Sequence, residues 1–152
     1  GLWQNYRGRL GCPKNSPQKI YTAEQPFENG HMFWREDWDD IFVVYDGRGD
    51  IFNGGLLWRD EPWTEGMPTE SCMDAPPPNR IRPIRGFGLL WCQELGASNA
   101  QIGWALANES GFDGTWQDFD SGSIFVDSDG ENRGLAYIFL YQEGRFVRER
   151  YR

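Results

Sequence analysis

The sequence predicts a mainly β protein with short helices, built from two small antiparallel units of similar sequence. Two observations support this fold class. Apolar runs rich in β-branched and aromatic residues alternate with turns rich in Asp and Gly, which is typical of antiparallel strands. The same order of residue types also occurs twice, 92 residues apart. With 152 residues, 39% of them apolar and 16% aromatic, the chain can form the core of one domain.

The internal repeat extends without a gap from positions 10–33 to positions 102–125. It aligns the segment "LGCPKNSPQKIYTAEQPFENGHMF" with the segment "IGWALANESGFDGTWQDFDSGSIF". This register indicates a tandem duplication with a different segment between the copies. Seven pairs match in residue type: Leu10 with Ile102, Gly11 with Gly103, Gln25 with Gln117, Phe27 with Phe119, Gly30 with Gly122, Met32 with Ile124, and Phe33 with Phe125.

Each repeat has the same predicted elements. A Leu-Gly or Ile-Gly pair ends a short apolar segment, where glycine suits a left-handed cap. A polar stretch and the pattern Gln-x-Phe-x-x-Gly follow. The runs "HMFW" and "IFVVY", and later "SIFV" and "YIFLY", are separated by charged turns and predict a β-hairpin in each copy. "DGRGDIFN" and "GRFVRER" predict a third strand. We expect the two small sheets to form a sandwich or a blade-like arrangement.

Helix is predicted near 87–96, where Phe87, Leu90, Trp91 and Leu95 have helical spacing. A shorter helix is expected before Gly11, by analogy. We therefore treat residues 1–152 as a single domain. It comprises repeat one (about 3–53), a connecting Pro-rich segment (about 54–86) and repeat two (about 87–152).

The three cysteines predict a disulfide rather than a metal site. No pair has CxxC spacing and there is only one histidine, which argues against zinc. Cys72 and Cys92 flank the Pro-rich loop, and a disulfide between them would stabilise the fold by about 3 kcal/mol. Such a bond is typical of an oxidising compartment outside the cytosol. Cys12 then stays free, or it pairs in place of one of the other two.

The net charge of −8 argues against nucleic acid as a partner, because a phosphate backbone requires clustered Lys and Arg. No apolar run approaches the roughly 20 residues of a membrane span, so we expect no membrane insertion by this fragment. The chain begins at Gly1 and not at Met, and we take it as a mature or excised part of a longer protein.

At "RLGCP" with "EQPFENGHMFW", and again at "QIGWA" with "WQDFDSGSIF", the sequence resembles the LGFP repeat of bacterial surface proteins. The tetrapeptide is LGCP in the first copy and IGWA in the second, so Phe is absent from both. The resemblance covers the two repeats and not the segment between them. It implies a role in the bacterial cell envelope, in contact with wall polysaccharide.

The candidate ligand-binding residues are two amides and five aromatic side chains. Gln25 and Gln117 occupy equivalent positions, and each either bonds backbone groups in its own turn or lines a groove for a sugar. Aromatic rings in polar turns can stack on the C–H faces of sugars. The tryptophans in or beside such turns are Trp34, Trp38, Trp58, Trp63 and Trp116.

Nothing in the sequence predicts catalysis or a cofactor. No Gly-x-Ser-x-Gly motif occurs, and the position equivalent to His31 is Ser123, so the repeat does not require an imidazole. "DSDGEN" resembles the start of a calcium loop, which makes Asp127 and Asp129 a weak calcium site candidate. A hairpin turn explains it better, since position twelve is Ile138 and not Glu.

We therefore expect a non-catalytic module at the bacterial cell surface or outside the cell that binds cell-wall or extracellular polysaccharide. Two alternatives remain at this point. One is a structural, self-assembling surface protein whose aromatic residues pack against another copy. The other is the ligand-sensing ectodomain of a membrane receptor.

Overall fold

The computed structural model describes residues 1–47, 50–127 and 134–150, except for the side chains of residues 50–53. Two helices and eight strands are present in this part of the chain. Short π-helical and 3-10 turns, Trp91–Leu95 and Ala97–Asn99, follow the second helix. The elements are α1 (Leu2–Leu10), β1 (Gln18–Phe27), β2 (Gly30–Arg35), β3 (Asp40–Gly47), β4 (Asp50–Asp60), α2 (Arg85–Leu90), β5 (Ser110–Phe119), β6 (Gly122–Val126), β7 (Leu135–Leu140) and β8 (Arg145–Arg150).

The strands form one antiparallel sheet that closes into a barrel, in the order β1-β2-β3-β4-β8-β7-β6-β5. The predicted mainly β class with short helices is confirmed, but the predicted sandwich or blade-like arrangement is wrong. The difference lies in long-range pairing: β4 pairs with β8, with Gly54 opposite Phe146. Closure gives each of the eight described strands a neighbour on both sides, whereas two separate small sheets would each have unpaired edges.

The predicted hairpins are present, with Phe33 opposite Phe42 in β2–β3 and Phe125 opposite Tyr137 in β6–β7. The predicted number of strands per repeat, two or three, is too low, because β1 and β5 precede the hairpins. The burial of β1 explains why the sequence pattern did not reveal this strand. Side chains from Thr22 to Gln25 are consecutively buried, so no alternation of polar and apolar residues marks the strand.

The chain divides into two compact units. The first unit comprises Gly1–Thr22, Asp46–Leu57 and Phe112–Arg152. The second comprises Ala23–Tyr45 and Trp58–Gly111. Each unit therefore combines segments from both halves of the sequence.

In the first unit, α1 packs across one face of β6 and β7. Burial of Tyr6 and Leu10 anchors the helix, and Arg7 and Arg9 in its last turn are favourable beside the negative end of its dipole. The helix ends at Gly11. The buried cluster below it comprises Tyr6, Leu10, Phe119, Ile124, Ile138 and Leu140.

The opposite face of these strands carries large aromatic side chains. Trp116 stacks on Phe125, with ring centroids 4.6 Å apart and an interplanar angle of 14°. The ring centroid of Tyr137 lies 5.6 Å from that of Phe125 and 6.2 Å from that of Phe146. These rings are fully buried and form the core of the first unit.

Two segments of equivalent sequence position, which we call the arms, hydrogen-bond to the turns between neighbouring strands. The first arm, Leu10–Asn15, lies against the β5–β6 turn, where the N–H of Asp120 donates to the carbonyl of Cys12 at 3.0 Å. The N–H of Cys12 donates in return to Asp120 Oδ2, also at 3.0 Å. This exchange fixes the arm to the turn.

The second arm, Ile102–Ala107, makes the same contacts with the β1–β2 turn. The N–H of Glu28 donates to the carbonyl of Trp104 at 3.0 Å, and the N–H of Trp104 donates to Glu28 Oε1 at 2.8 Å. The second residue of each arm is a glycine with a positive φ, Gly11 at 79° and Gly103 at 81°. Each residue of the second exchange lies 92 positions from its counterpart in the first.

Candidate functional site

The candidate site is a pair of exposed tryptophans in the second unit. All eight tryptophans lie among the described residues, and of these only Trp38 and Trp58 are exposed, at 37% and 43%. Trp38 lies in the β2–β3 turn and Trp58 near the end of β4. Their ring centroids are 6.4 Å apart and their planes are inclined by 35°. We call these two rings the aromatic platform.

The platform rests on two other side chains. Trp58 stacks on Phe42 of β3, with centroids 6.3 Å apart and an angle of 12°. The guanidinium carbon of Arg35 lies 3.6 Å from the centroid of the Trp38 ring, a cation–π contact. Arg35 is completely buried and pairs through two nitrogens with the carboxylate of Asp37, at 2.8 and 2.7 Å. This support limits the freedom of both rings.

Carboxylates also orient the indole groups. The Nε1–H of Trp58 donates to Asp40 Oδ2 at 2.6 Å. The Nε1–H of Trp34 donates to Asp39 Oδ1 at 2.8 Å. Asp39 has a positive φ of 54° and ends the β2–β3 turn, and its carbonyl accepts the N–H of Glu61 at 2.9 Å. The turn and the end of β4 are thus held together beside the platform.

Two carboxyl groups beside the platform, those of Glu61 and Asp40, have raised pKa values. Burial, a hydrogen bond with Asp39 and the negative charge of that residue raise the pKa of Glu61 to about 8. Burial likewise raises the pKa of Asp40, and the neighbouring Asp60 adds to the effect, while the indole of Trp58 and the charge of Arg35 oppose it. Glu61 is therefore largely protonated at neutral pH.

The other predicted tryptophans lie elsewhere. Trp116 is fully buried in the first unit and donates Nε1–H to Thr22 Oγ1 at 3.0 Å. Trp63 is half-buried and donates to the carbonyl of Pro68 at 3.0 Å. Trp34, also half-buried, hydrogen-bonds the Asp39–Glu61 pair beside the platform. The platform therefore contains two of the five predicted tryptophans.

Both predicted glutamines hold the arms. Gln25 Nε2 donates to the carbonyl of Ala107 at 2.9 Å, and Gln117 Nε2 donates to the carbonyl of Asn15 at 2.9 Å. Gln25 is only 2% exposed, whereas Gln117 is half-buried. Neither contact lies within the turn of the glutamine itself, so their common role is to anchor the opposite arm.

The predicted disulfide is present: Cys72 and Cys92 are bonded, with their Cα atoms 5.8 Å apart. It ties the Pro-rich loop to the π-helical turn after α2. Cys12 is free and exposed.

The weak calcium site candidate gains no support from the residues that can be described. Asp127 is buried, and Asp129 lies outside the described residues. Within the ranges 1–47, 50–127 and 134–150, no cluster of three or more His, Cys, Asp or Glu side chains is arranged to hold a metal ion. Among the same residues, no helix is long and apolar enough to cross a membrane.

The sequence did not identify Arg35, Phe42 and Glu61 as parts of the site. A usable signal was the charged turn "REDWDD", which places a tryptophan among carboxylates. Comparison with known proteins adds no assignment: no protein family, curated protein or solved structure matches the chain.

Proposed function

We propose that the chain is a non-catalytic, extracytoplasmic module that binds a surface or extracellular polysaccharide through the aromatic platform. The observation that carries this proposal is the exposure of Trp38 and Trp58 side by side on a braced support, while the other six tryptophans are buried or half-buried. Exposed large rings are costly to leave in water without a partner, and paired ones mark binding surfaces.

The chemistry of a pyranose suits this surface. One face of the sugar ring presents C–H groups that pack on an aromatic face, and its hydroxyls require hydrogen-bond partners at the edge. Asp37, Asp39 and Asp60 surround the platform and are exposed. Because the two rings are inclined by 35°, they fit two consecutive sugar units that are turned relative to each other.

We also propose that the chain is a tandem duplication of LGFP-like units, which supports a role in the bacterial cell envelope. The reciprocal arm contacts support it, since the Gly11 and Gly103 arms make equivalent hydrogen bonds 92 residues apart. The strands β1 and β5 have the same length and the same offset. The Leu-Gly and Ile-Gly pairs of the resemblance are the points where the two arms begin.

The disulfide supports placement outside the cytosol. A bond between Cys72 and Cys92 is compatible with an oxidising compartment and would be reduced in most cytosols. The module would meet polysaccharide in that compartment.

Calorimetric titration with soluble wall and capsular polysaccharides tests the proposal, with tryptophan fluorescence as a second readout. We expect Trp58→Ala and Trp38→Ala each to weaken binding by about tenfold or more, as for a hot-spot tryptophan. Tyr21→Ala is the matched control, because Tyr21 is an exposed aromatic residue of β1 outside the platform.

Light scattering on the same samples separates the alternatives. The proposal predicts a monomer whose fluorescence shifts with polysaccharide. A chain that oligomerises through Trp38 and Trp58, and whose fluorescence does not change with sugars, would be a self-assembling surface protein. Binding of a small non-sugar ligand at the platform would favour a sensing ectodomain.

A further inference from the structure

The electrostatic surroundings of the platform restrict its ligand. The segments that carry it, "REDWDD" at 35–40 and "WRDE" at 58–61, hold six acidic residues and two arginines. Four of the acidic side chains are exposed: Glu36, Asp37, Asp39 and Asp60. A ligand that reaches the rings therefore approaches through a rim of negative charge.

The two nearby cations do not offset this rim. Arg35 is buried and bonded to Asp37 at 2.7 Å, and Arg59 pairs with Glu94 at 2.6 Å. Asp37 is thereby neutralised in part, and Glu36, Asp39 and Asp60 are the further exposed carboxylates of the rim. The excess charge at the rim is negative.

The rings themselves favour a cation. The face of an indole attracts positive charge, and Trp38 already accepts the guanidinium of Arg35 at 3.6 Å. An acidic sugar would meet carboxylates and the negative faces of two rings. A sugar with a free amine would be attracted by the carboxylates and by the faces of the two rings.

We propose that the platform selects glycans that carry free amino groups, with the ring C–H face on Trp38 or Trp58 and the ammonium group toward the exposed carboxylates. This inference rests on the proposed polysaccharide-binding function and specifies its ligand class. It excludes polyuronates and other anionic polymers as preferred ligands.

Titration of the whole chain with three oligosaccharides of equal length tests the inference. They are a free-amine hexosamine oligomer, its fully N-acetylated form and a uronate oligomer. At low salt we expect the amine form to bind about tenfold more tightly than the N-acetylated form, and the uronate form not to bind. The preference for the amine form should decrease as salt screens the exposed carboxylates.

The double variant Glu36→Gln, Asp60→Asn isolates the contribution of charge. It should reduce the preference for the amine form by about threefold to tenfold, and so weaken binding of the amine form more than binding of the N-acetylated form. Asp113→Asn is the matched control, because Asp113 is an exposed carboxylate of the first unit. Thermal unfolding of each variant verifies that the fold is intact.

The possible results distinguish the two proposals. Equal binding of all three oligomers, abolished by Trp58→Ala, would overturn the charge selection and leave the polysaccharide function standing. Preferential binding of the uronate form would also overturn the selection. Failure of every glycan to bind the intact chain would overturn both.

Discussion

The two compact units differ in which of their tryptophan and glutamine side chains reach solvent. In the first unit Trp116 is fully buried and Gln117 is half-buried beside a cavity. In the second unit Gln25 is closed off at 2% exposure, while Trp38 and Trp58 reach solvent. Equivalent hydrogen bonds of the two arms therefore do not determine which side chains become available to a ligand. Exposure, and not the repeat itself, locates the candidate site.

The cavity of the first unit shows the difference most clearly. It has a volume of about 300 Å³, and Leu2, Trp3, Thr115, Gln117 and Ile124 are among its lining residues. The positions 92 residues before three of these are Ala23, Gln25 and Met32, and all three are buried. A groove that is open in one unit is therefore closed at the equivalent residues of the other.

The largest expected difference is between the buried and the exposed tryptophans. Trp116→Ala should lower the free energy of unfolding by about 3–5 kcal/mol, because it removes a fully buried ring and its hydrogen bond to Thr22. Trp58→Ala should lower the free energy of unfolding by only about 1 kcal/mol, since much of the ring is already in water. Urea unfolding measures both. Equal losses would show that Trp58 belongs to the core and that the platform is not a free surface.

The next comparison concerns the two arms. Gly11→Ala and Gly103→Ala should each lower the free energy of unfolding by about 2–3 kcal/mol, because both residues have positive φ. An added Cβ would also lie 2.9 Å from Asp120 Cβ or 2.8 Å from Glu28 Cβ.

Gly66→Ala is the control for these two variants. Gly66 has a φ of 96° but no atom within 4 Å of an added Cβ, so its substitution measures conformational strain alone, about 1 kcal/mol. If Gly11→Ala and Gly103→Ala differed strongly from each other, the equivalence of the two arms, and with it the proposed duplication, would be in doubt.

Local patterns predicted much of this fold. The hairpins, the helix near 87–96 and the disulfide are present because each depends on residues close in sequence or on a simple spacing. The strands β1 and β5 escaped prediction. In β1, consecutive buried residues such as Thr22 and Gln25 hide the alternation. Barrel closure escaped too, because the pairing of β4 with β8 joins residues far apart in sequence.

The candidate site was predictable only in part. Sequence placed Trp38 and Trp58 among five candidates but could not separate them from Trp63 and Trp116. Exposure depends on neighbours supplied by folding, such as Phe42 below Trp58. The five tryptophans occur in similar polar surroundings along the chain, so no local signal distinguishes them.

A smaller difference is expected between the two glutamines. Gln25→Ala should cost about 1–3 kcal/mol, because it leaves the carbonyl of Ala107 without its donor in a closed environment. Gln117→Ala should cost less than about 1 kcal/mol, since water in the adjoining cavity can replace the amide at Asn15. Chemical denaturation of the two variants measures this difference. A larger loss for Gln117→Ala would contradict the distinction between a closed and an open groove.

The smallest effect concerns the pH dependence of the second unit. Glu61 has a pKa of about 8 in the folded chain, whereas an unfolded glutamate titrates near 4.5. The folded state therefore holds this proton more tightly, so stability from this group is complete below about pH 4.5 and is lost as pH rises to about 8. Partial solvent exposure screens the interaction, and we expect a loss of about 1 kcal/mol and not the full value for a dry site.

Glu61→Gln isolates this group, because the amide resembles the protonated carboxyl and does not ionise. The difference in unfolding free energy between the variant and the original chain should increase in favour of the variant from pH 5 to pH 8. Charged groups that act on Glu61 are Asp39 and Glu109, and Arg85 pairs with Glu109 at 3.1 Å. Glu143→Gln is the control: it removes the partner of Arg9 in the first unit, where the carboxyl has a lowered pKa. A difference independent of pH for Glu61→Gln would mean that the Asp39–Glu61 pair does not share a proton, and that the platform lies beside a full rather than a reduced negative charge.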